Sequence, residues 1–192
     1  MISSKLPIYL ASKSPRRRKL LKQLNLNFKT FSVDLHEEVF DGEHPIKTVK
    51  RLAQHKLDAA KVKVKEGIII TADTIVVLNK QIIGKPKNKK DAAKLLSKLS
   101  GKTHFVYTGF SIHNSKTDHT IVDYERTSVT FRDLTKKEIN AYVETGSPMD
   151  KAGAYGIQDD FGAVFVQKID GCYYNVVGLP LSKFYHRLLE IV

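Results

Sequence analysis

A mixed α/β fold is predicted by three observations on this 192-residue chain. The run Ile68 to Leu78 is continuous, β-branched and long enough for a central buried strand. Amphipathic stretches of helical period, such as Pro45 to about Val64, alternate with strand-sized apolar runs through the first half. Farther on, His104 to His113 and Ile121 to Phe131 read as paired strands with Asn114 to Thr120 as their turn. The sheet is therefore mixed, with flanking helices.

In chain order, Pro7 to Ala11 is a short buried strand entering a helix. Ser14 stands at its N-cap and Pro15 at N1, ahead of the apolar positions Leu20, Leu21 and Leu24. Phe28 to Leu35 alternates as a second strand, and His36-Glu37-Glu38 opens a polar loop through Gly42. Val49, Leu52, Ala53, Leu57 and Ala60 form the apolar stripe of the Pro45 helix. Gln81 to Pro86 is a short strand closing on Gly84-Lys85-Pro86, and Asn88 caps a helix ending near Ser100-Gly101. Thr135 and Glu138 match a capping box for a helix stopping at Gly146. Asp150 to Phe161 is Gly-rich and irregular. Ala163 to Ile169 and Cys172 to Val177 resemble a hairpin turning at Asp170-Gly171, and Leu181 to Ile191 is a closing helix. With no repeat or linker, residues 1–192 form one domain, or two intimately packed lobes.

The balance of 42% hydrophobic and 27% charged residues is that of a soluble protein with a sizeable core. The single cysteine, Cys172, rules out an intrachain disulfide and fits a reducing compartment. No stretch is long and apolar enough to span a bilayer, so a cytoplasmic protein without membrane contact is expected. A net charge of +12 points to an anionic partner. The lysines are spread along helices, without an aromatic-interleaved basic run, so a small polyphosphate competes well with nucleic acid.

Two residues break their local pattern. Asp73 puts an acid inside the central strand, where an unpaired carboxylate is costly and needs a cation, a metal or donors. Lys56 falls on the inward face of its helix, among Leu52, Ala53, Ala59 and Ala60. It either snorkels outward or turns its ammonium toward phosphate or the Asp73 carboxylate. Arg16, Arg17 and Arg18 crowd the first turn after Ser14, the wrong end of a helix for cations. That suggests a bound phosphate; a solvated basic turn is the plain alternative. Gly84-Lys85-Pro86 presents one lysine and is not a P-loop. Glu37 and Glu38 could bind a hard cation, or be solvated loop acids. In Asp150 to Gln158, two glycines allow close approach while Lys151, Tyr155 and Gln158 offer charge, stacking and amide readout for a nucleoside. Zinc spacings, Cys-His pairs and a Gly-x-Ser-x-Gly elbow are absent, against a metalloprotease, thiol enzyme or α/β hydrolase.

Taken together, Leu10 to Arg17, Ala72-Asp73-Thr74, Gly84-Lys85-Pro86, Asp150 to Gln158 and Val176 to Pro180 resemble the Maf proteins, in the same order and over essentially the whole chain. The resemblance implies a nucleoside triphosphate pyrophosphatase that cleaves between the α- and β-phosphates with a divalent cation, Mg²⁺ or Mn²⁺. It implies a two-lobed fold like that of inosine triphosphate pyrophosphatases, with a central cleft, and a link to arrest of septum formation. Carried over by motif, Asp73 is the proton acceptor and, with Glu37 or its neighbour Glu38, a metal ligand. Ser12, Ser14, Arg17, Lys56, Lys85 and Lys151 line the phosphates. Arg16, Thr74 and Gln158 set substrate choice, a trio similar to the branch acting on dTTP and UTP. The 7-methylguanosine triphosphate branch has Trp, Gln and Glu there.

The partners expected are thus a nucleoside triphosphate, no membrane and no nucleic acid, with a homodimer left open. A house-cleaning enzyme for modified nucleotides would share the chemistry. The rival from another class is a non-enzymatic basic regulator that binds nucleic acid or a division protein; it leaves Asp73 and Lys56 unexplained.

Overall fold

The computed structural model describes residues 4–35, 38–40, 42–158 and 161–192. Its strands are β1 (Ile8–Ala11), β2 (Phe28–Phe31), β3 (Ile68–Leu78), β4 (Gln81–Ile83), β5 (Thr103–Asn114), β6 (His119–Phe131) and β7 (Val166–Asp170). Its helices are α1 (Pro15–Gln23), α2 (Pro45–Lys61), α3 (Lys89–Leu99), α4 (Lys136–Glu144), α5 (Tyr173–Val177) and α6 (Leu181–Leu189). The strands form one mixed sheet in the order β2-β1-β3-β5-β6-β7, with β4 paired to β3. Contacts divide the chain into two units, Met1–Asp73 with Thr108–Glu125 and Gly178–Val192, and Thr74–Tyr107 with Arg126–Val177.

In the first unit β1 runs parallel to both β2 and β3, with Ile8 opposite Phe28 and Ile68. Ser14 caps α1, its hydroxyl accepting from the Arg17 amide as the sequence predicts. The expected stripe of α2 is buried, and Leu57 and Ala60 pack with Ala11, Val64 and Ile69. A Cβ on Gly109 of β5 would lie 2.3 Å from the Val49 carbonyl oxygen, so only glycine lets strand and helix backbone approach this closely. At the end of the chain, Phe184 of α6 meets Phe110 edge-on and Arg187 pairs with Asp123 at 2.8 Å.

In the second unit the core gathers Val76, Leu96, Val106, Val129, Phe131, Tyr142 and Phe165 beneath α3 and α4. Asn88 caps α3 and the Thr135–Glu138 capping box opens α4, both as expected. Asn79 and Lys80, at φ 49° and 65°, make the left-handed two-residue turn that pairs β4 with β3.

Two expectations fail. The second strand stops at Phe31, short of Leu35; beyond it the Ser32 carbonyl accepts from Lys63 Nζ at 3.1 Å. The hairpin expected at Asp170-Gly171 does not form either. β7 pairs with β6, and Tyr173–Val177 is a short helix. Asn175 Nδ2 donates to the Val106 carbonyl and to Thr127 Oγ1, and Thr127 Oγ1 also binds the backbone of Cys172. These long-range bonds to β5 and β6 take the place of a strand ladder. No helix among the described residues is long and apolar enough to cross a membrane.

His104 lies wholly inside the second core, and burial pushes its imidazole down to about 4 from an ordinary 6.5. Its folded-state pKa is therefore below its unfolded one, and the unfolded chain takes up the proton first as pH falls. Stability from this group is complete above pH 6.5 and declines toward pH 4, by about 3 kcal/mol in all. Urea denaturation at pH 7, 5.5 and 4.5 should show that decline, and His104→Gln should flatten it.

Candidate active site

Alternate residues of a strand share a face, and one face of β3 is turned to α2. Ile69 packs on Leu57 and Ala60, and the Thr71 hydroxyl donates to the Ala53 carbonyl at 2.8 Å. Next on that face comes Asp73, whose Oδ1 forms a hydrogen-bonded ion pair with Lys56 Nζ. Helical side chains lean toward the N-terminus, so the Lys56 stem runs back along α2 to reach the carboxylate. The side chains are 13% and 8% exposed. Lys56 thus turns inward, as one of its two sequence readings has it, and does not snorkel.

The turn into α1 forms a second knot. Ser12 Oγ accepts from the Ser14 amide at 3.2 Å and from Arg17 Nη1 at 3.4 Å. Arg17 Nε donates to the Gly178 carbonyl at 2.9 Å. Together these contacts set the plane of the Arg17 guanidinium. Arg16 is half-buried and Arg18 exposed. Because β1 and β3 are parallel with Leu10 opposite Ile70, this turn lies at the same strand end as Asp73. Strand progression reverses between β1 and β3 in the order β2-β1-β3, and open parallel sheets bind ligands outside the strand ends at such a point.

Glu37 lies outside the described residues. Glu38 is exposed, and its carbonyl accepts from Arg51 Nη2 at 3.0 Å. Arg51 also grips Glu43 through Nε at 3.0 Å and Nη2 at 2.6 Å, and lies 4.2 Å from the Phe40 ring centroid. Its guanidinium holds the Glu43 carboxyl below the usual range. Arg51 thereby ties Glu38, Phe40 and Glu43 to α2, a role the sequence did not disclose. The Gly178 carbonyl was missed too, since a backbone acceptor leaves no mark on residue type.

The other expected residues stand in the second unit. Thr74 is half-buried on β3, and Lys85 is exposed on the turn after β4. Lys151 Nζ binds the Ser147 carbonyl at 2.5 Å and Asp150 at 2.8 Å. The Gly153 amide donates to the Gly84 carbonyl at 3.0 Å, joining the lysine-bearing turns. Gln158 is half-buried. Tyr155 is not available for stacking on a ligand: it is buried, with its ring edge-on to Phe131 and its hydroxyl on His104. The candidate residues therefore form two sets. Ser12, Ser14, Arg16, Arg17, Lys56 and Asp73 belong to the first unit, and Thr74, Lys85, Lys151 and Gln158 to the second.

Among the described residues no three His, Cys, Asp or Glu side chains cluster around a metal position. Asp73 is the described member of the expected metal pair. Magnesium is commonly held by one or two carboxylates plus substrate phosphates, so a cation carried in with a polyphosphate fits this donor set.

The family model described as Maf-like protein matches residues 7–191. A dTTP/UTP pyrophosphatase of Syntrophomonas wolfei is 46% identical over 179 residues, 93% of this chain and 94% of its own. Its counterpart from Dictyoglomus thermophilum is 48% identical over 178 residues, covering 92% and 91%. Among solved structures, a HAM1 protein from Coxiella burnetii aligns over 96% of this chain and 99% of its own, with a TM-score of 0.51 at 13% identity, which is a likeness of fold.

Removing one partner of a buried ion pair leaves the other charge uncompensated. Lys56→Met should lower folding stability by about 3 kcal/mol, and adding Asp73→Asn should recover most of that. Denaturant midpoints of the two variants check it.

Proposed function

This chain belongs to the Maf-like family, and on that footing we propose that it is a nucleoside triphosphate pyrophosphatase acting on dTTP and UTP. Water attacks the α-phosphorus, and the bond to the oxygen bridging the α- and β-phosphorus breaks. The products are a nucleoside monophosphate and pyrophosphate. One observation carries this proposal above the others: a carboxylate buried in a central strand, aimed by a lysine, at the strand end where a basic helix N-terminus opens.

Asp73 accepts the proton from the attacking water. Lys56 holds that carboxylate in place and supplies positive charge beside the phosphates. The α1 terminus at Ser12 and Ser14, with the oriented Arg17 guanidinium, binds phosphate oxygens. Lys85 and Lys151 hold the phosphates of the bound triphosphate, and keep that grip as charge passes to the leaving pyrophosphate. Arg16, Thr74 and Gln158 select the base. Relatives named for dTTP and UTP support the pyrimidine preference. A divalent cation, Mg²⁺ or Mn²⁺, held by Asp73 and Glu37 with phosphate oxygens, would neutralise further charge when bound. The single half-buried cysteine, Cys172, suits a cytoplasmic setting.

The purified protein should release pyrophosphate from dTTP and UTP faster than from CTP or purine triphosphates, and chelation with EDTA should stop it. Asp73→Asn should cut kcat about 10³-fold with an unchanged circular dichroism spectrum. Near-normal turnover in that variant removes Asp73 as the base. Steeply salt-dependent DNA binding with no turnover at all would favour the basic regulator instead.

A further inference from the structure

The second unit buries an imidazole that the proposed chemistry leaves unused. His104, near the start of β5, is fully buried, with Nε2 2.8 Å from Tyr155 Oη. Its Nδ1 has no hydrogen-bond partner among the described residues. Phe131 meets both rings edge-on, at 5.0 Å from His104 and 4.7 Å from Tyr155. An apolar pair of the same shape would fill this space without orphaning a polar atom, so packing alone does not account for these residues. The imidazole–phenol bond adds direction. It sets where the Tyr155 hydroxyl sits, and with it the course of the backbone that carries it.

That backbone is constrained. Gly153 and Ala154 follow one another at φ 72° and 63°, a left-handed conformation that glycine adopts freely and alanine disfavours. A Cβ on Gly153 would also stand 3.0 Å from a methyl of Val76. The segment is pinned on both sides of the strained residue. The Gly153 amide donates to the Gly84 carbonyl at 3.0 Å, and the Gly156 amide to Tyr142 Oη at 3.2 Å. Lys151 lies two residues before one pin, and Lys85 follows the carbonyl that receives it.

We propose that His104 is a positioning residue: through Tyr155 it holds the left-handed pair Gly153 and Ala154 within segment 151–158 and so sets the spacing of Lys151 and Lys85. Its effect on turnover rests on the proposed phosphate-binding role of those lysines; its effect on the segment does not. Two variants test it. Tyr155→Phe keeps the ring and removes the bond, and His104→Leu with Tyr155→Phe removes both polar groups and so avoids a buried orphan.

In both variants the Gly153 and Gly156 amides should exchange hydrogen faster in the substrate-free protein. KM for dTTP should rise about tenfold with kcat within about twofold, the split expected when ground-state phosphate binding is loosened. The double variant should regain the thermal stability that Tyr155→Phe loses, yet keep the raised KM. A double variant with wild-type stability, exchange and KM would make the pair a core filler and overturn the proposal. Unchanged exchange at both amides overturns it whatever the activity. Faster exchange, in a protein whose parent form releases no pyrophosphate from any nucleoside triphosphate, upholds the positioning role and removes the pyrophosphatase assignment.

Discussion

A carboxylate in the middle of a buried strand is tolerable only with a cation, a metal or donors against it, and the Lys56–Asp73 pair that meets this need is the constraint on which the first unit depends. It dictates where α2 must lie on β3. Thr71 bonds the Ala53 carbonyl one step earlier on the same strand face, so the helix cannot slide without losing both contacts. Gly109 completes the arrangement by letting β5 pass close under the Val49 carbonyl. A well-packed apolar pair would serve stability at least as well as buried ions. The charges are better explained by what they can do at the end of two parallel strands.

That end is prepared in advance. Three arginines in the first turn of α1 oppose the helix dipole at up to ~1 kcal/mol each, a cost that an incoming anion reverses. Arg17 does not swing freely: Ser12 and the Gly178 carbonyl set its plane, so less rotamer freedom is lost when it grips a ligand. Arg51 does comparable work on the approach to α2, holding Glu43, the Glu38 carbonyl and the Phe40 ring. In the second unit the Gly153–Gly84 bond serves the same end for Lys85 and Lys151. For a Maf-like protein proposed to bind a triphosphate, this pre-ordering of cations is the feature that counts most, because positioning and charge dominate phosphoryl-transfer chemistry.

Much of this was legible in the sequence, for identifiable reasons. The central strand Ile68–Leu78 was bounded to the residue, since a continuous β-branched run flanked by Gly67 and Asn79 admits little else. Ser14, Asn88 and Thr135 announced their helices through capping chemistry that depends on neighbours one to three positions away. Asp73 and Lys56 stood out because each violates the pattern around it, and violations of that kind gather at functional sites.

Tertiary structure alone decided the rest. Lys56 had two physically sound destinations, and only the position of Asp73 on the facing strand chose between them. Cys172–Val177 has strand-like composition, yet Asn175 finds partners on β5 and β6 that make a short helix the better satisfied form. Tyr155 could have been a stacking platform; a place in the second core beside His104 and Phe131 removed it from solvent. The Gly178 carbonyl that orients Arg17 is 161 residues away and is carried by backbone common to every residue type. Local periodicity, caps and pattern breaks are written in short stretches of sequence. Which distant group satisfies a buried charge or a free donor is set by three-dimensional adjacency, and a one-dimensional pattern does not encode it.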